Sequence, residues 1–173
     1  MQYTIEQIKD SEEKKAISRE VLEALPEWFG IPSSTEEYIS KSASQPFWCA
    51  YVDGMTAGFL YLYETGKATL ELYVTGVKKQ YHRMGIGRSL FQAAYAYAKA
   101  HGYSFLQVKT VQMGNYAEYD KTNLFYQSLG FQEFEVFPTL WDEQNPCQGV
   151  APEENIFSFD PGDKEAVLER QFP

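Results

Sequence analysis

Cysteine is scarce in this chain: Cys49 and Cys147 stand far apart, with no others. They form neither a zinc spacing nor a disulfide framework, which suits a reducing cytoplasm. Cys49 sits in a strand-like run and reads as a small buried hydrophobe. Long apolar runs are also lacking. None approaches the ~20 residues that span a bilayer. Met1 to Glu6 carries no basic region ahead of a greasy stretch, so neither secretion nor membrane insertion is expected. Positive charge is outweighed, with 15 Lys and Arg against 24 Asp and Glu and a net charge of −9. That balance argues against a general nucleic-acid surface and leaves room for a cationic partner such as an amine. Internal repeats and low-complexity linkers are absent.

What is present suits one folded unit. At 173 residues, 44% hydrophobic and 16% aromatic, the chain can bury a sizeable core and reads as a single domain over 1–173. Tyr3–Ile8 can form a first strand, and Asp10 then caps a helix running to about Leu25. Residues 26–32 interrupt, and Ser33 starts a second helix. Phe47–Val52 and Met55–Tyr63 flank Asp53-Gly54 and read as a tight hairpin. A turn near Gly66 leads to a further strand from Ala68 to Val77. A helix begins near Leu90 and closes at His101-Gly102. A strand over Phe105–Val111 follows, so these two strands should run parallel through a crossover. Asp120 can cap a short helix through Leu129, and Phe131–Phe137 alternates as a sixth strand.

The organising stretch is residues 77–90, a strand end, a glycine-bearing turn and a helix start. Gly85 and Gly87 lack Cβ atoms, so the backbone can bend sharply and admit a ligand closely. The first amides of the helix have no intrahelical partner, and its dipole favours negative charge. With Arg83 and Arg88 on either side, the turn is a candidate pyrophosphate cradle. A glycine turn that merely packs a helix on a sheet is the plainer alternative. Alternation on the preceding strand puts Glu71, Tyr73 and Thr75 on one face and Leu70, Leu72 and Val74 on the other.

The spacing His82-x-x-Gly85-x-Gly87 resembles the coenzyme A signature of the GCN5-related N-acetyltransferase (GNAT) family. A second block, Asn123 to Phe131 with Tyr126 before Gly130-Phe131, is similar to that family's aromatic-Tyr-x-x-x-Gly-Phe element. Two blocks in the right order are far more specific than either alone. The resemblance runs from about Tyr3 to Cys147. It implies an α/β fold with a mixed, mostly antiparallel sheet flanked by helices, and transfer of an acetyl group from acetyl-CoA to a primary amine of a small molecule, in a ternary complex without a metal. The coenzyme is then expected against Thr75, Gly76 and Val77 through the pantetheine arm. The amides from Met84, Gly85, Ile86, Gly87 and Arg88 to Ser89 would take the pyrophosphate. His82, Arg83 and Asn123 are further coenzyme candidates. His82 replaces the usual Gln or Arg, and Tyr119 stands where the family more often has an asparagine.

The chemistry needs a base for the ammonium and an acid for the departing thiolate. Glu71, eleven positions before His82, resembles the catalytic glutamate of histone-acetylating members; otherwise it is an outward strand carboxylate. Tyr126 matches the family's tyrosine acid; otherwise it is a packed helix tyrosine. Trp28, Phe29 and Tyr38 could overhang the acceptor or serve as core aromatics. Lys109 and Thr110 could touch the ligand or be solvated. A non-catalytic acyl-CoA-binding module is the rival reading. Residues 148–173 read as an atypical tail. The family's last strand is then formed by Ile156–Phe159, is missing, or is exchanged in a homodimer.

Overall fold

The computed structural model describes residues 2–152. The expected strand at Ile156–Phe159 lies outside them. Strands β1 (Tyr3–Ile8), β2 (Phe47–Val52), β3 (Met55–Gly66), β4 (Thr69–Val77), β5 (Phe105–Val111), β6 (Phe131–Asp142) and β7 (Asn145–Pro152) form one sheet in the order β1-β2-β3-β4-β5-β7-β6. Neighbours pair antiparallel except β4 and β5, which run parallel as the crossover requires. Helices α1 (Ser11–Glu23), α2 (Pro32–Ser42), α3 (Ile86–Ala100) and α4 (Ala117–Ser128) cover its faces.

Local chemistry explains most boundaries. The Asp10 carboxylate accepts from the Glu13 amide at 2.8 Å and opens α1. Asp53 and Gly54 take φ of 50° and 77°, the left-handed pair that a two-residue hairpin demands. Ile86, Leu90, Ala94 and Ala98 recur every fourth residue and bury one stripe of α3. The second helix starts on Pro32 rather than a serine cap, because proline at the first helical position gives up an amide that has no partner anyway. Asp120 does not cap α4, which begins one turn earlier. Its carboxylate instead accepts from the Gly114 amide at 2.7 Å, closing the preceding loop.

Two cores lie on the two faces. Leu60, Leu62, Leu70 and Leu72 pack against α3 and α4, whereas Phe47, Phe59, Tyr61 and Val74 pack against α1 and α2. Leu72 and Val74 should share a face under simple alternation, and they do not. The register jumps from Tyr61↔Val74 to Leu62↔Leu72, so Tyr73 is an extra residue, a β-bulge that reverses the phase of the strand. Tyr73 and Val74 turn to the α1–α2 face, and Thr75, opposite Leu60, turns to the other. The expected single face for Glu71, Tyr73 and Thr75 is therefore broken after Tyr73.

The last strand also differs from expectation. Asn145–Pro152 pairs with β5 and β6 at once and fills the place between them. A missing or exchanged strand is not needed to complete the sheet. Alternation is weak around Cys147 because both faces of this inserted strand are covered: Cys147, Gln148, Gly149 and Val150 are all buried.

Candidate active site

Strands β4 and β5 pair only over Thr69–Glu71 and Phe105–Gln107. Beyond that, β4 continues on β3 while β5 turns to β7, so the two strands part. The gap opens into a cleft of about 1540 Å³. The bulge and the parting explain each other, since a bulged strand bends and ends its pairing.

One end of the cleft is the glycine turn. Arg83 and Gly85 adopt φ of 65° and 82°, and α3 starts directly after them. A side chain at Gly85 would be strained and would lie 3.4 Å from the Tyr3 hydroxyl. That hydroxyl lies 2.8 Å from Ser89 Oγ, so β1 braces the first turn of α3. The Ser89 amide donates to the Gly85 carbonyl at 3.1 Å. The amides of Ile86, Gly87 and Arg88 are the ones without a helical acceptor. The cleft is lined by His82, Arg83, Gly85, Ile86, Gly87 and Arg88, but not by Met84 or Ser89. Met84 packs against the α3 core.

Gly87 has a packing reason of its own. A Cβ there would lie 2.9 Å from the tip of the Phe125 ring, so glycine lets α4 close onto α3. His82 Nε2 lies 2.6 Å from the Val77 carbonyl, which can only accept, so the proton is on Nε2 and the ring ties the turn to the strand end. Arg88 donates to the Ser128 carbonyl at 3.1 Å, at the C-terminus of α4. Thr75, Gly76 and Val77 line the cleft where β5 has left them. Asn123 does not line it. It is buried, donates to the Val111 carbonyl at 2.9 Å and ties α4 to β5.

Glu71 and Tyr126 both line the cleft. Glu71 is 5% exposed, and its Oε2 lies 2.5 Å from Lys109 Nζ. Burial pushes the carboxyl above its ordinary range, while Lys109 and, more weakly, Lys41 oppose the rise. The pair joins Glu71, in the last β4–β5 rung, to Lys109 two residues beyond that rung on β5, so Lys109 is not merely solvated; it also lines the cleft. Its partner was invisible in sequence because β4 and β5 lie 38 residues apart along the chain at this pair. Tyr126 is 5% exposed and packs beside Phe125 and Phe131, yet it also lines the cleft, so its packing does not exclude a chemical role. Burial first, and the nearby Glu71 charge second, push its phenol well above 10. At neutral pH it keeps its proton and is available as a hydrogen-bond donor.

The opposite wall is aromatic. Trp28, Phe29 and Tyr38 line the cleft, as do Tyr63 and Tyr73. The Trp28 indole donates to Thr122 Oγ1 at 3.2 Å and the Glu118 carbonyl at 3.3 Å, while the Tyr119 hydroxyl donates to the Trp28 carbonyl at 2.9 Å. The loop between α1 and α2 is thus clasped to α4 across the cleft. Tyr119, the departure from the family's more frequent asparagine, supplies one bond of that clasp. Both cysteines are buried and free, with thiols pushed up by burial, Cys49 to about 12 and Cys147 to about 11, which leaves them inert. Among the described residues no three His, Cys, Asp or Glu side chains gather as a metal site, and no helix is long and apolar enough to cross a membrane.

Comparison with known proteins agrees with this geometry. The family model described as an acetyltransferase (GNAT) domain matches residues 43–133. The chain belongs to the GNAT family and is a GNAT-type N-acetyltransferase domain. A search of the curated proteins found no match. Among solved structures, an IAA acetyltransferase from Bacillus cereus superposes with a TM-score of 0.67 at 22% identity, covering 87% of this chain and 99% of that one. A GNAT family acetyltransferase from Elizabethkingia anophelis with acetyl-CoA bound gives 0.63 at 18%, covering 86% and 94%. The ribosomal-protein-S18-alanine N-acetyltransferase from Escherichia coli gives 0.67 at 17%, covering 87% and 93%. These neighbours share the fold and carry different names, so the fold does not select an acceptor.

Proposed function

We propose that this chain transfers the acetyl group of acetyl-CoA to a primary amine of a small molecule, by direct transfer in a ternary complex. The observation that carries the reading is the parting of β4 from β5 just past Glu71, which puts Glu71, Tyr126 and the glycine turn on one cleft. The amides of Ile86, Gly87 and Arg88 would hold the pyrophosphate, and the β5-free edge of β4 at Thr75–Val77 would hold the pantetheine arm. Bound there, acetyl-CoA supplies an activated carbonyl: the C–N bond forms as the C–S bond breaks.

Glu71 takes the proton that the ammonium must lose, directly or through one water. Burial raises its pKa, which makes it a better base than an ordinary carboxylate, and Lys109 opposes that rise. Tyr126 donates to the sulfur as negative charge develops there. Free, buried thiols suit the reducing cytoplasm, where we place the protein.

Thermal unfolding with and without acetyl-CoA tests the cradle. Ligand at one hundred times its dissociation constant should add about 2.7 kcal/mol. Turnover of Tyr126→Phe tests the acid: the expected kcat loss is about 100-fold with the acetyl-CoA shift retained. Full turnover by that variant, or no shift with acetyl-CoA, would overturn the reading.

A further inference from the structure

We infer that the acceptor is an amphipathic monoamine, one amino group on a flat apolar body of about ring size, rather than a polyamine or a highly charged amine. This rests on the acetyl-transfer reading above. Exposed large apolar side chains are ordinary when scattered, and they signal a ligand when they converge. Ile31 is 60% exposed, Leu140 52% and Trp141 47%, and all three line the one cleft. They come from opposite sides. Ile31 belongs to the loop before α2, and Leu140 and Trp141 belong to the tip of the β6–β7 hairpin, where strand pairing lapses between Phe137 and Asp142. The hairpin is anchored to the start of α4 by the Tyr116 hydroxyl, which donates to the Gln144 carbonyl at 3.1 Å.

Inside that rim the wall is a run of rings. Phe29 meets Tyr38 at 6.2 Å, Tyr38 meets Tyr73 at 6.0 Å, and Tyr73 meets Tyr63 at 5.1 Å, in edge-on or tilted contact. Such walls favour planar apolar groups by offset or edge contact.

Three of the four carboxylates that line the cleft are already engaged, Glu27 by Lys79, and the fourth, Glu118, stands unpaired among the described residues. Glu71 is paired with Lys109. The Asp142 carboxylate accepts from the amides of Gln144 and Asn145 and from the Asn145 side chain. The faces of Tyr63 and Tyr73 already hold the Lys41 ammonium, 4.9 and 4.6 Å from their centroids. Beyond the Glu71 floor only Glu118 could meet a further charge, so the remaining charge of a polycation would lose water without gaining a partner.

The test is kcat/KM for 2-phenylethylamine, n-propylamine and spermidine, measured by thiol release, with quenching of tryptophan fluorescence as a separate reading of amine binding. We expect 2-phenylethylamine to exceed both others by at least about 10-fold, the scale of one buried ring contact. Trp141→Ala and Ile31→Asp should each shrink that preference several-fold while keeping the acetyl-CoA thermal shift. Preference for spermidine, or an unchanged ratio in both variants, would overturn the inference. Binding of 2-phenylethylamine without turnover would leave the acceptor class standing and sink the acetyl-transfer reading. Neither binding nor turnover of 2-phenylethylamine, with acetyl-CoA still bound, would overturn the acceptor class.

Discussion

The two ends of the cleft are built from different materials. At the glycine turn the groups we propose for the ligand are backbone amides, and side chains hold the backbone in place: His82 on Val77, Arg88 on Ser128, Tyr3 beside Ser89. At the other end the side chains themselves face the cleft, and they come from elements distant in sequence. A backbone-built site needs a local run of residues with the right conformations, and a short motif can specify that. A side-chain-built site needs the sheet to be assembled first.

Substitutions should separate the two ends. The largest effect is expected at Glu71. Glu71→Gln removes the base and should lower kcat by about 100-fold or more, with acetyl-CoA affinity unchanged in a thermal-shift titration. Equal loss of coenzyme affinity would show that the ends are not independent.

Lys109→Met comes next. Loss of the ammonium leaves burial unopposed except by Lys41, so the Glu71 carboxyl should rise further. A base works when deprotonated, so activity climbs as pH rises through that pKa. The acid limb of the kcat/KM profile should therefore move to higher pH, and Lys109→Arg should restore it. The groups facing Glu71 are Lys109 from β5, Lys41 and Tyr38 from α2, Tyr126 from α4 and Cys147 from β7. An unmoved limb would mean that Glu71 is not the titrating base.

Gly87→Ala should act at the turn alone. Its Cβ would press on Phe125, an overpacking worth about 1–3 kcal/mol of stability by chemical denaturation, with the amine KM unchanged. The smallest effect is expected for His82→Ala. Losing one exposed tie to Val77 should weaken acetyl-CoA about tenfold at most, as one hydrogen bond of about 1 kcal/mol implies. A larger loss would point to direct contact between His82 and the coenzyme.

Glycine placement, the Asp53-Gly54 hairpin, the stripe of α3 and the order of strands and helices up to β6 were legible from the chain, because each depends on neighbours within a few residues. The second family block also pointed to Tyr126, and the spacing before His82 to Glu71, as candidates. Three decisions belonged to the tertiary structure alone. The bulge at Tyr73 depends on the length of β3 opposite, and it moved Thr75 off the face of Glu71. The last strand, Asn145–Pro152, is defined by two partners at once, with no alternation to announce it. The Lys109 partnership exists because β4 and β5 part at that point, and the energy of an ion pair depends on where its halves meet and how dry they are, which the order of residues along a chain does not contain.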